Sequence, residues 1–235
     1  MNTKNEIVSL TNVIKNYGNG EVITKALQGI DLKINQGDFS VMMGPSGCGK
    51  STMLNIIGGL DKATSGEVKF DGKDFNSLTN KELSIIRRNQ IGFVFQNYNL
   101  LPVLTAYENA EYVLMLQEMP ISQRKEKVMH FFKEMGLDGL ENRLPRELSG
   151  GQQQRIAIAR AVVSDPLLVL ADEITANVDS EIAQSLLMLM EKLNKINKTT
   201  FLISTHDPAV IKFAKKVIVL KDGRIDKEEL SSENI

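Results

Sequence analysis

One segment of eight residues constrains the fold of this chain more than any other. Gly44–Ser51 reads GPSGCGKS, matches the pattern G-x-x-x-x-G-K-[ST], and lies between an apolar strand predicted at Phe39–Met43 and a helical run at Thr52–Ile57. Glycines allow the backbone to turn tightly with its N–H groups pointing inward, so the loop and the helix start form a cradle for anions. Lys50 adds a cation for the β and γ phosphates, and the Ser51 hydroxyl suits Mg²⁺, which prefers oxygen ligands. The segment therefore predicts a strand–loop–helix unit that binds a nucleoside triphosphate.

The composition is that of a globular protein with balanced charge. Hydrophobic residues make up 42% and charged residues 24%, and 28 basic residues stand against 29 acidic ones, for a net charge of -1. Nucleic acid is disfavoured as a partner, because proteins that mainly neutralise DNA phosphates carry a basic excess. The single cysteine, Cys48, and the polar start at residues 1–5 favour a reducing, cytoplasmic location. No run approaches the ~18–20 apolar residues that cross a bilayer, so a membrane role is expected to come through a partner.

Strand and helix signals alternate over most of the chain. Apolar or alternating runs predict strands at Ile7–Leu10, Ala26–Ile34, Phe39–Met43, Glu67–Phe70, Leu167–Ala171, Thr200–Ser204 and Val217–Leu220. Capping signals and helical spacing predict helices after Thr79 and Thr105, over Ser122–Met135, Ser149–Val163 and Ser180–Lys195, and from Pro208. Strands separated by helices indicate an α/β fold with a mainly parallel sheet.

Two carboxylates follow one of these buried strands. The strand Leu167–Ala171 leads directly into Asp172 and Glu173, and ligands of open α/β sheets bind at the carboxyl ends of parallel strands. Asp172 is expected to hold Mg²⁺ through water, and Glu173 to polarise the attacking water as a general base. Many apolar strands end in acidic residues that have no catalytic role. Because this chain also contains the phosphate-binding segment, a catalytic role for the two carboxylates is favoured.

A second segment predicts a second anion site. Residues 148–152 read LSGGQ, in which Ser149 and Gln152 form a capping box at the start of a helix. The segment resembles the signature of ATP-binding-cassette (ABC) ATPases. This resemblance implies that the two anion sites bind opposite sides of one ATP. They would meet only when two cassettes pair head to tail, so the active unit would be a homodimer with two ATP sites.

The resemblance extends over nearly the whole chain and implies its architecture. The fold class is α/β: a P-loop NTPase (RecA-like) core with a mainly parallel sheet, an antiparallel β subdomain and an inserted α-helical signature subdomain. One nucleotide-binding domain would cover residues 1–235, with the helical subdomain at about 97–160 and a polar tail at 228–235. ATP and Mg²⁺ are the implied cofactors.

Further residues gain roles from the same resemblance. Tyr17 would stack on adenine, Gln96 would contact Mg²⁺ or the attacking water, Asp179 would lie in the D-loop, and His206 would bind the γ-phosphate. The implied catalytic residues are Glu173, His206 and Gln96, and the implied Mg²⁺ ligands are Ser51, Gln96 and Asp172. The implied nucleotide-binding residues are Tyr17, Gly44, Pro45, Ser46, Gly47, Cys48, Gly49, Lys50, Ser51, Thr52, Ser149, Gly150, Gly151 and Asp179.

Two more runs narrow the resemblance to one branch of the family. Residues 55–61 (NIIGGLD) and 91–102 (IGFVFQNYNLLP) look like the lipoprotein-release and macrolide-export branch. Members of this branch work on a separate integral-membrane permease subunit. The resemblance therefore implies such a partner and a peripheral position on the inner face of the cell membrane. It also allows an additional accessory protein in the periplasm or at the cell surface.

The chain departs from the family directly after the second carboxylate. Ile174 stands where the family usually has proline, so the backbone there can adopt more conformations and has an N–H that needs a partner. We expect this difference to weaken coupling between the two ATP sites without abolishing turnover.

Two other functions compete with that of a transporter ATPase. A soluble ABC ATPase that acts on nucleic acid or ribosomes would use the same motifs, but such chains usually carry long coiled coils, paired cassettes or basic linkers, and none is visible in this sequence. A nucleotide-bound scaffold with little hydrolysis is disfavoured because Glu173 and His206 are both present.

Overall fold

Two β-sheets and six α-helices make up a computed structural model that describes residues 6–18, 23–176, 178 and 180–230. The strands are β1 (Glu6–Tyr17), β2 (Thr24–Asn35), β3 (Phe39–Met43), β4 (Ser65–Phe70), β5 (Lys73–Asp74), β6 (Ile91–Val94), β7 (Leu168–Asp172), β8 (Thr200–Thr205), β9 (Lys216–Lys221) and β10 (Arg224–Leu230). The helices are α1 (Lys50–Ile57), α2 (Asn80–Gln90), α3 (Ala106–Leu116), α4 (Ile121–Glu134), α5 (Gly150–Val162) and α6 (Ser180–Asn197). Short 3₁₀ helices occupy Phe75–Ser77, Pro145–Glu147 and Pro208–Phe213.

The larger sheet has six strands in the order β10-β9-β3-β8-β7-β6. Strands β6, β7, β8, β3 and β9 run parallel, and β10 pairs antiparallel with β9 at one edge. Every residue of β8 is buried, as expected for a central strand that is covered on both faces. The prediction of a mainly parallel sheet is therefore confirmed.

Side chains of the larger sheet alternate between two hydrophobic clusters, one on each face. Along β7, Leu168 and Leu170 belong to the cluster that contains α1 and the smaller sheet, whereas Val169 and Ala171 belong to the cluster that contains α3 to α6. Because both faces are packed, the carboxyl ends of β3, β7 and β8 are held in fixed positions relative to one another.

The smaller sheet is antiparallel, with the strand order β2-β1-β4-β5. Its strand β1 is longer than the predicted Ile7–Leu10 and continues to Tyr17. The apolar alternation breaks at Thr11 and Asn12, where Asn12 has a φ of 48° and the register with β2 shifts. This β-bulge explains why the sequence pattern ended the strand too early.

Three helices lie between β6 and β7, in the segment predicted to contain the helical subdomain. Helices α3 and α5 begin with complete capping boxes, formed by Thr105 with Glu108 and by Ser149 with Gln152. Hydrogen bonds from the backbone and hydroxyl of Thr105 lower the pKa of Glu108, because they stabilise its charged form. Among the described residues, every helix is too short or too polar to span a bilayer.

The helix predicted from Pro208 is a short 3₁₀ helix, Pro208–Phe213, rather than an α-helix. Asp207 caps its start by accepting a hydrogen bond from the N–H of Ala209. The chain returns to the sheet soon afterwards, because the Lys215 N–H donates to Phe39 O in β3. Between this cap and the sheet the chain forms only 3₁₀ turns.

Besides β1, which was predicted too short, strands β5, β6 and β10 were not predicted from the sequence. Strand β6 was not predicted, because glycine at position 92 interrupts an already short run and depresses strand propensity. The predicted polar tail at 228–235 is wrong over residues 228–230, which belong to β10 and pair with β9. Polar side chains are tolerated at residues 228–230 because β10 is an exposed edge strand. Residues 231–235 lie outside the described part of the chain.

Candidate functional site

The phosphate-binding segment turns from β3 into α1 over glycines that leave no room for a side chain. Gly49 has a φ of 109°, and a Cβ built there would lie 2.6 Å from the carbonyl oxygen of Ala26. A Cβ on Gly44 would lie 2.2 Å from the carbonyl oxygen of Leu220. The loop is therefore pressed against β2 and β9, and both positions require glycine.

Lys50, the first residue of α1, directs its ammonium group back over the loop. Its Nζ donates to the carbonyl oxygens of Gly44 (2.8 Å) and Pro45 (3.1 Å) and lies 3.5 Å from Glu173 Oε1. The side chain is only 6% exposed. Phosphate oxygens are stronger acceptors than neutral carbonyls, so this buried cation is well placed to bind an anion over the loop.

The two predicted carboxylates end β7 in different environments. Asp172 accepts a hydrogen bond from the hydroxyl of Ser204, which is fully buried in the neighbouring strand β8. Glu173 follows in the left-handed conformation, with a φ of 49°, and its N–H donates to Ser204 O at 3.0 Å. Such a conformation is unfavourable for a residue with a Cβ, and here it sets the direction of the Glu173 side chain.

His206 completes the cluster just beyond the end of β8. Its Nδ1 lies 2.9 Å from Glu173 Oε2, and since a carboxylate only accepts hydrogen bonds, Nδ1 carries the proton. The two carboxylate oxygens of Glu173 therefore contact different partners, Lys50 and His206. The side chain of Glu173 is 13% exposed and that of His206 is 67% exposed, so His206 forms the outer part of the cluster.

These groups line one open cleft of about 700 Å³, a volume typical of small-molecule sites. The cleft brings together the predicted residues Tyr17, Pro45, Ser46, Gly47, Gly49, Lys50, Ser51, Thr52, Gln96, Glu173 and His206, and Thr24, Lys25 and Ala26 of β2 complete its lining. Gly44, Cys48 and Asp172 do not line it. Cys48 is 4% exposed and Gly44 is in contact with β9, so these two support the loop from within the fold.

Tyr17 reaches the cleft from the end of β1 and is held by two neighbours. Its hydroxyl donates to Asp61 Oδ2 at 2.8 Å, and Lys15 Nζ lies 4.7 Å from the centre of its ring. Lys15 also donates to Asp61 Oδ1 at 2.7 Å. Burial raises the pKa of Asp61, but hydrogen bonds from Lys15, Tyr17 and the Lys62 backbone outweigh it and place the pKa below its usual value.

Sequence reasoning assigned no role to Lys15, Asp61 or Ser204. Lys15 was missed because the strand predicted from the sequence ended at Leu10, before Lys15 and Tyr17, and the register with β2 also shifts between Lys15 and Asn16. No local pattern predicts the contact of Asp61 with β1 or that of Ser204 with Asp172, since each joins residues far apart in the chain.

Ser149, Gly150 and Gly151 lie at the start of α5, and none of them lines the cleft of their own chain. The Ser149 hydroxyl accepts a hydrogen bond from the Gln152 N–H. Gly151 is buried against α6, where a Cβ would lie 2.9 Å from Ile182 Cδ1. The close packing of α5 against α6 therefore requires glycine at position 151, independently of its predicted role in nucleotide binding. Asp179 lies outside the described residues.

Ile174 has a clear place in the packing. Its side chain is 2% exposed and belongs to the hydrophobic cluster that contains α3 to α6. Its N–H has no hydrogen-bond partner within the part of the chain that the structure describes. A proline at this position would thus remove a buried side chain without removing a hydrogen bond seen in the fold.

The oxygen groups around the loop are of the type that Mg²⁺ prefers. Ser51 and Gln96 line the cleft, and Asp172 ends the strand beside it. Across residues 6–18, 23–176, 178 and 180–230, no group of three or more His, Cys, Asp or Glu side chains is arranged to hold a metal ion. A small number of protein oxygen ligands is typical of Mg²⁺ that binds together with nucleotide phosphates, so these residues fit that ion.

Comparison with known proteins identifies the family. The model of the ABC transporter family matches residues 27–176. The ABC transporter ATP-binding protein MJ0796 of Methanocaldococcus jannaschii is 46% identical over 227 residues, which cover 95% of this chain and 97% of the relative. The macrolide export ATP-binding/permease protein MacB of Syntrophobacter fumaroxidans is 41% identical over 225 residues, which cover 95% of this chain and 32% of that protein. A dimeric structure of the MJ0796 cassette, in a post-hydrolysis state bound to ADP and Pi, matches with a TM-score of 0.89 and covers 95% of this chain and 98% of that one.

These relatives confirm the resemblance that the two anion-binding segments indicated, and a macrolide exporter is among them. They give no support to the alternative of an ATPase that acts on nucleic acid. The strand–loop–helix cradle, the open cleft and the extent of the similarity lead to one conclusion. The chain belongs to the ABC transporter family, as an ATP-binding ATPase subunit.

Proposed function

We propose that two copies of this chain pair head to tail around two ATP molecules and that hydrolysis drives a separate membrane permease. The observation that carries this proposal is the separation of the two predicted anion sites. The cleft contains the phosphate-binding loop and Glu173, whereas Ser149 and its helix start lie outside it. Because a helix N-terminus with accessible N–H groups binds phosphate, Ser149 of a second copy can close the open side of the cleft. The dimeric structure of the MJ0796 cassette with bound ADP and Pi supports the pairing of two copies.

Within each site, different residues bind the adenine, the phosphates and Mg²⁺. Tyr17 provides a flat surface for adenine, and Lys50 with the loop N–H groups binds the β and γ phosphates. Ser51, Gln96 and Asp172 would hold Mg²⁺, Asp172 through water. The ion supplies positive charge that neutralises the phosphate oxygens.

Glu173 is proposed to change partners when ATP binds. Its two carboxylate oxygens contact Lys50 and His206. Phosphate oxygens compete for both of these groups, which leaves the carboxylate able to accept a proton from water. That water proton then passes to Glu173 as the water oxygen bonds to the γ-phosphorus, and the bond from the γ-phosphorus to ADP breaks. His206 would stabilise the charge that develops on the γ-phosphate.

The variant Glu173→Gln tests both the pairing and the general base. With Mg²⁺ and ATP we expect it to elute as a dimer in size-exclusion chromatography with light scattering, and to hydrolyse ATP about 10²–10⁴-fold more slowly than the parent. Lys50→Ala is the control, since it should neither bind ATP tightly nor dimerise. An ATP-loaded Glu173→Gln protein that stays monomeric would contradict the pairing, and hydrolysis at the parent rate would contradict the general base.

A groove of about 350 Å³ supports the proposal of a permease partner. It is lined by apolar side chains of several elements, including Leu60, Phe93, Phe95, Val113 and Leu116, and by Arg87, Arg88 and Arg160. Leu60 is 48% exposed and Leu116 is 44% exposed. Clustered exposed apolar residues indicate an interaction surface, and we assign it to a cytoplasmic segment of the permease. The chain would thus lie on the inner face of the membrane, and an accessory protein on the other side stays a prediction.

Co-purification from native membranes tests this assignment. We expect the parent protein to retain an integral-membrane subunit and the double variant Leu60→Glu/Leu116→Glu to lose it while its ATPase activity in solution persists. Met188→Glu is a matched control, because Met188 is 56% exposed on α6 and does not line the groove. Equal retention by the double variant and the control would refute the groove as the docking site.

A further inference from the structure

Arg160, near the end of α5, holds the backbone of the loop that follows β6. Its Nη1 donates to Asn99 O at 2.6 Å, and its Nη2 donates to Tyr98 O at 2.8 Å. Both acceptor residues have left-handed backbone conformations, with φ of 60° at Tyr98 and 49° at Asn99. Two such residues in succession are unfavourable when both have a Cβ, and they persist only where the surroundings hold them.

The guanidinium group of Arg160 donates its two hydrogen bonds to this loop. Burial lowers the pKa of Arg160, and none of the ion pairs found among the described residues includes it. Desolvation of a charge is unfavourable unless its donors are satisfied. Each terminal nitrogen of Arg160 donates to its own carbonyl, whereas a lysine would have to reach both carbonyls from a single nitrogen on a shorter side chain.

The same helix also contacts the strand that precedes the loop. A Cβ on Gly92 would lie 2.2 Å from the carbonyl oxygen of Ala161, so β6 and α5 touch backbone to backbone. Gln96, which lines the cleft, therefore lies between two points that are fixed to α5. One point is Gly92 in β6, and the other is the pair of carbonyls held by Arg160.

Helix α5 carries Ser149 at its start and Arg160 near its end. At 1.5 Å per residue, Gly150 and Arg160 are about 15 Å apart along the helix axis. A short regular helix transmits displacement as a rigid element, so the position of Ser149 and the position of the loop around Gln96 are mechanically linked through Arg160.

We propose that Arg160 is a positioning residue for Gln96. By holding Tyr98 O and Asn99 O, it keeps the loop in the conformation that directs Gln96 into the cleft, and it ties that loop to the helix that presents Ser149 to the other copy. This inference rests on the role of Gln96 in the proposed function.

The conservative variant Arg160→Lys tests the proposal in the full-length chain. It keeps the charge and the aliphatic stem but loses the fork, so we expect kcat for ATP hydrolysis to fall about tenfold. Affinity for ATP without Mg²⁺ should stay within about twofold of the parent, because the phosphate loop and Tyr17 are untouched. Arg155→Lys is the matched control on the same helix, since Arg155 donates to Met135 O and Ser185 Oγ rather than to this loop.

A double-mutant cycle with Gln96→Ala separates this inference from the proposed function. If Arg160 acts through Gln96, the variant Gln96→Ala/Arg160→Lys turns over no more slowly than Gln96→Ala alone. A slow Gln96→Ala with Arg160→Lys at the parent rate would overturn the inference alone. A Gln96→Ala variant at the parent rate would remove the role of Gln96 from the proposed function and, with it, the inference.

The substitution Asn99→Gly tests whether Arg160 acts by holding the loop conformation. It should restore kcat to the Arg160→Lys variant only if that is the role of Arg160. Glycine adopts the left-handed conformation without steric penalty, so Asn99→Gly should restore part of the kcat that Arg160→Lys loses. Thermal unfolding of each variant shows whether the fold is intact. No recovery of kcat in a stably folded Asn99→Gly/Arg160→Lys variant would overturn the proposal that Arg160 holds the loop conformation.

Discussion

The contact between Tyr17 and Asp61 gives a prediction about which part of ATP the cleft recognises. Asp61→Ala removes the acceptor of the Tyr17 hydroxyl and the ion-pair partner of Lys15, while the ring of Tyr17 remains. We expect the ring to become mobile, so that each binding event must first order it. ATP affinity should then fall without any change in the phosphate-binding loop.

The expected loss of ATP affinity can be estimated from the contacts of Tyr17 with Asp61 and Lys15. A hydrogen bond of this kind contributes about 0.5–1.5 kcal/mol, and a cation–π contact at an exposed site contributes about 0.5–1 kcal/mol. Tyr17 is 40% exposed and the Asp61 side chain is 30% exposed, so solvent screening reduces both contributions. A net loss of about 1 kcal/mol corresponds to a Kd for ATP that is about fivefold higher.

Calorimetric titration with ATP and with inorganic tripolyphosphate measures this effect. The Asp61→Ala variant should bind ATP about fivefold more weakly and tripolyphosphate as tightly as the parent, because tripolyphosphate has no base to stack. Asp31→Ala is a control, since Asp31 accepts a hydrogen bond from the Asn12 N–H on the same sheet and does not line the cleft. An unchanged Kd for ATP, or an equal loss for both ligands, would refute the reasoning.

The pH dependence of the same contact has a definite sign. The pKa of Asp61 lies below its usual value in the folded chain. Its stabilising contribution is therefore fully present above the unfolded pKa of about 4 and is lost as pH falls through the lower folded pKa. The difference in ATP affinity between the parent and Asp61→Ala should thus be constant from about pH 6 to 8.

Three further substitutions test the packing around the site. Ser204→Ala removes the buried hydroxyl that donates to Asp172, and urea denaturation should show a free energy of unfolding about 1–3 kcal/mol lower, whereas an unchanged midpoint would contradict the importance of this contact. Gly151→Ala places a methyl group against Ile182 and should destabilise by about 1–3 kcal/mol; adding Ile182→Val should recover part of the loss, and no recovery would point to another cause. Ile174→Pro should raise the cooperativity of ATP hydrolysis if the isoleucine weakens coupling between sites, and kinetics identical to those of the parent would remove that idea.

The phosphate-binding loop and the start of α5 could be predicted from the sequence because their properties are local. An anion cradle needs glycines, a lysine and a helix start within a few positions, and all of these are adjacent in the chain. Capping boxes are local in the same way, and those at Thr79, Thr105 and Ser149 are present in the fold. Such features depend little on the rest of the protein.

The residues that hold these groups in place could not be predicted, because their contacts are formed only by the tertiary fold. Asp61 lies 44 residues from Tyr17, and Ser204 lies 32 residues from Asp172. Arg160 lies 61 residues from Asn99. Nothing in the sequence near either member of these pairs indicates its partner. Register and sheet order decide such contacts.

Both carboxylate oxygens of Glu173, the proposed general base, have partners in the fold. Glu173 contacts Lys50 and His206, the same two groups that are proposed to bind phosphate, so under that proposal the triphosphate would displace both contacts at once. The left-handed backbone of Glu173 meanwhile fixes the direction of its side chain. Under the proposed function, release of the base and binding of the substrate would be one event. Water would then meet an unpaired carboxylate only where the γ-phosphate has displaced Lys50 and His206, which would favour hydrolysis there.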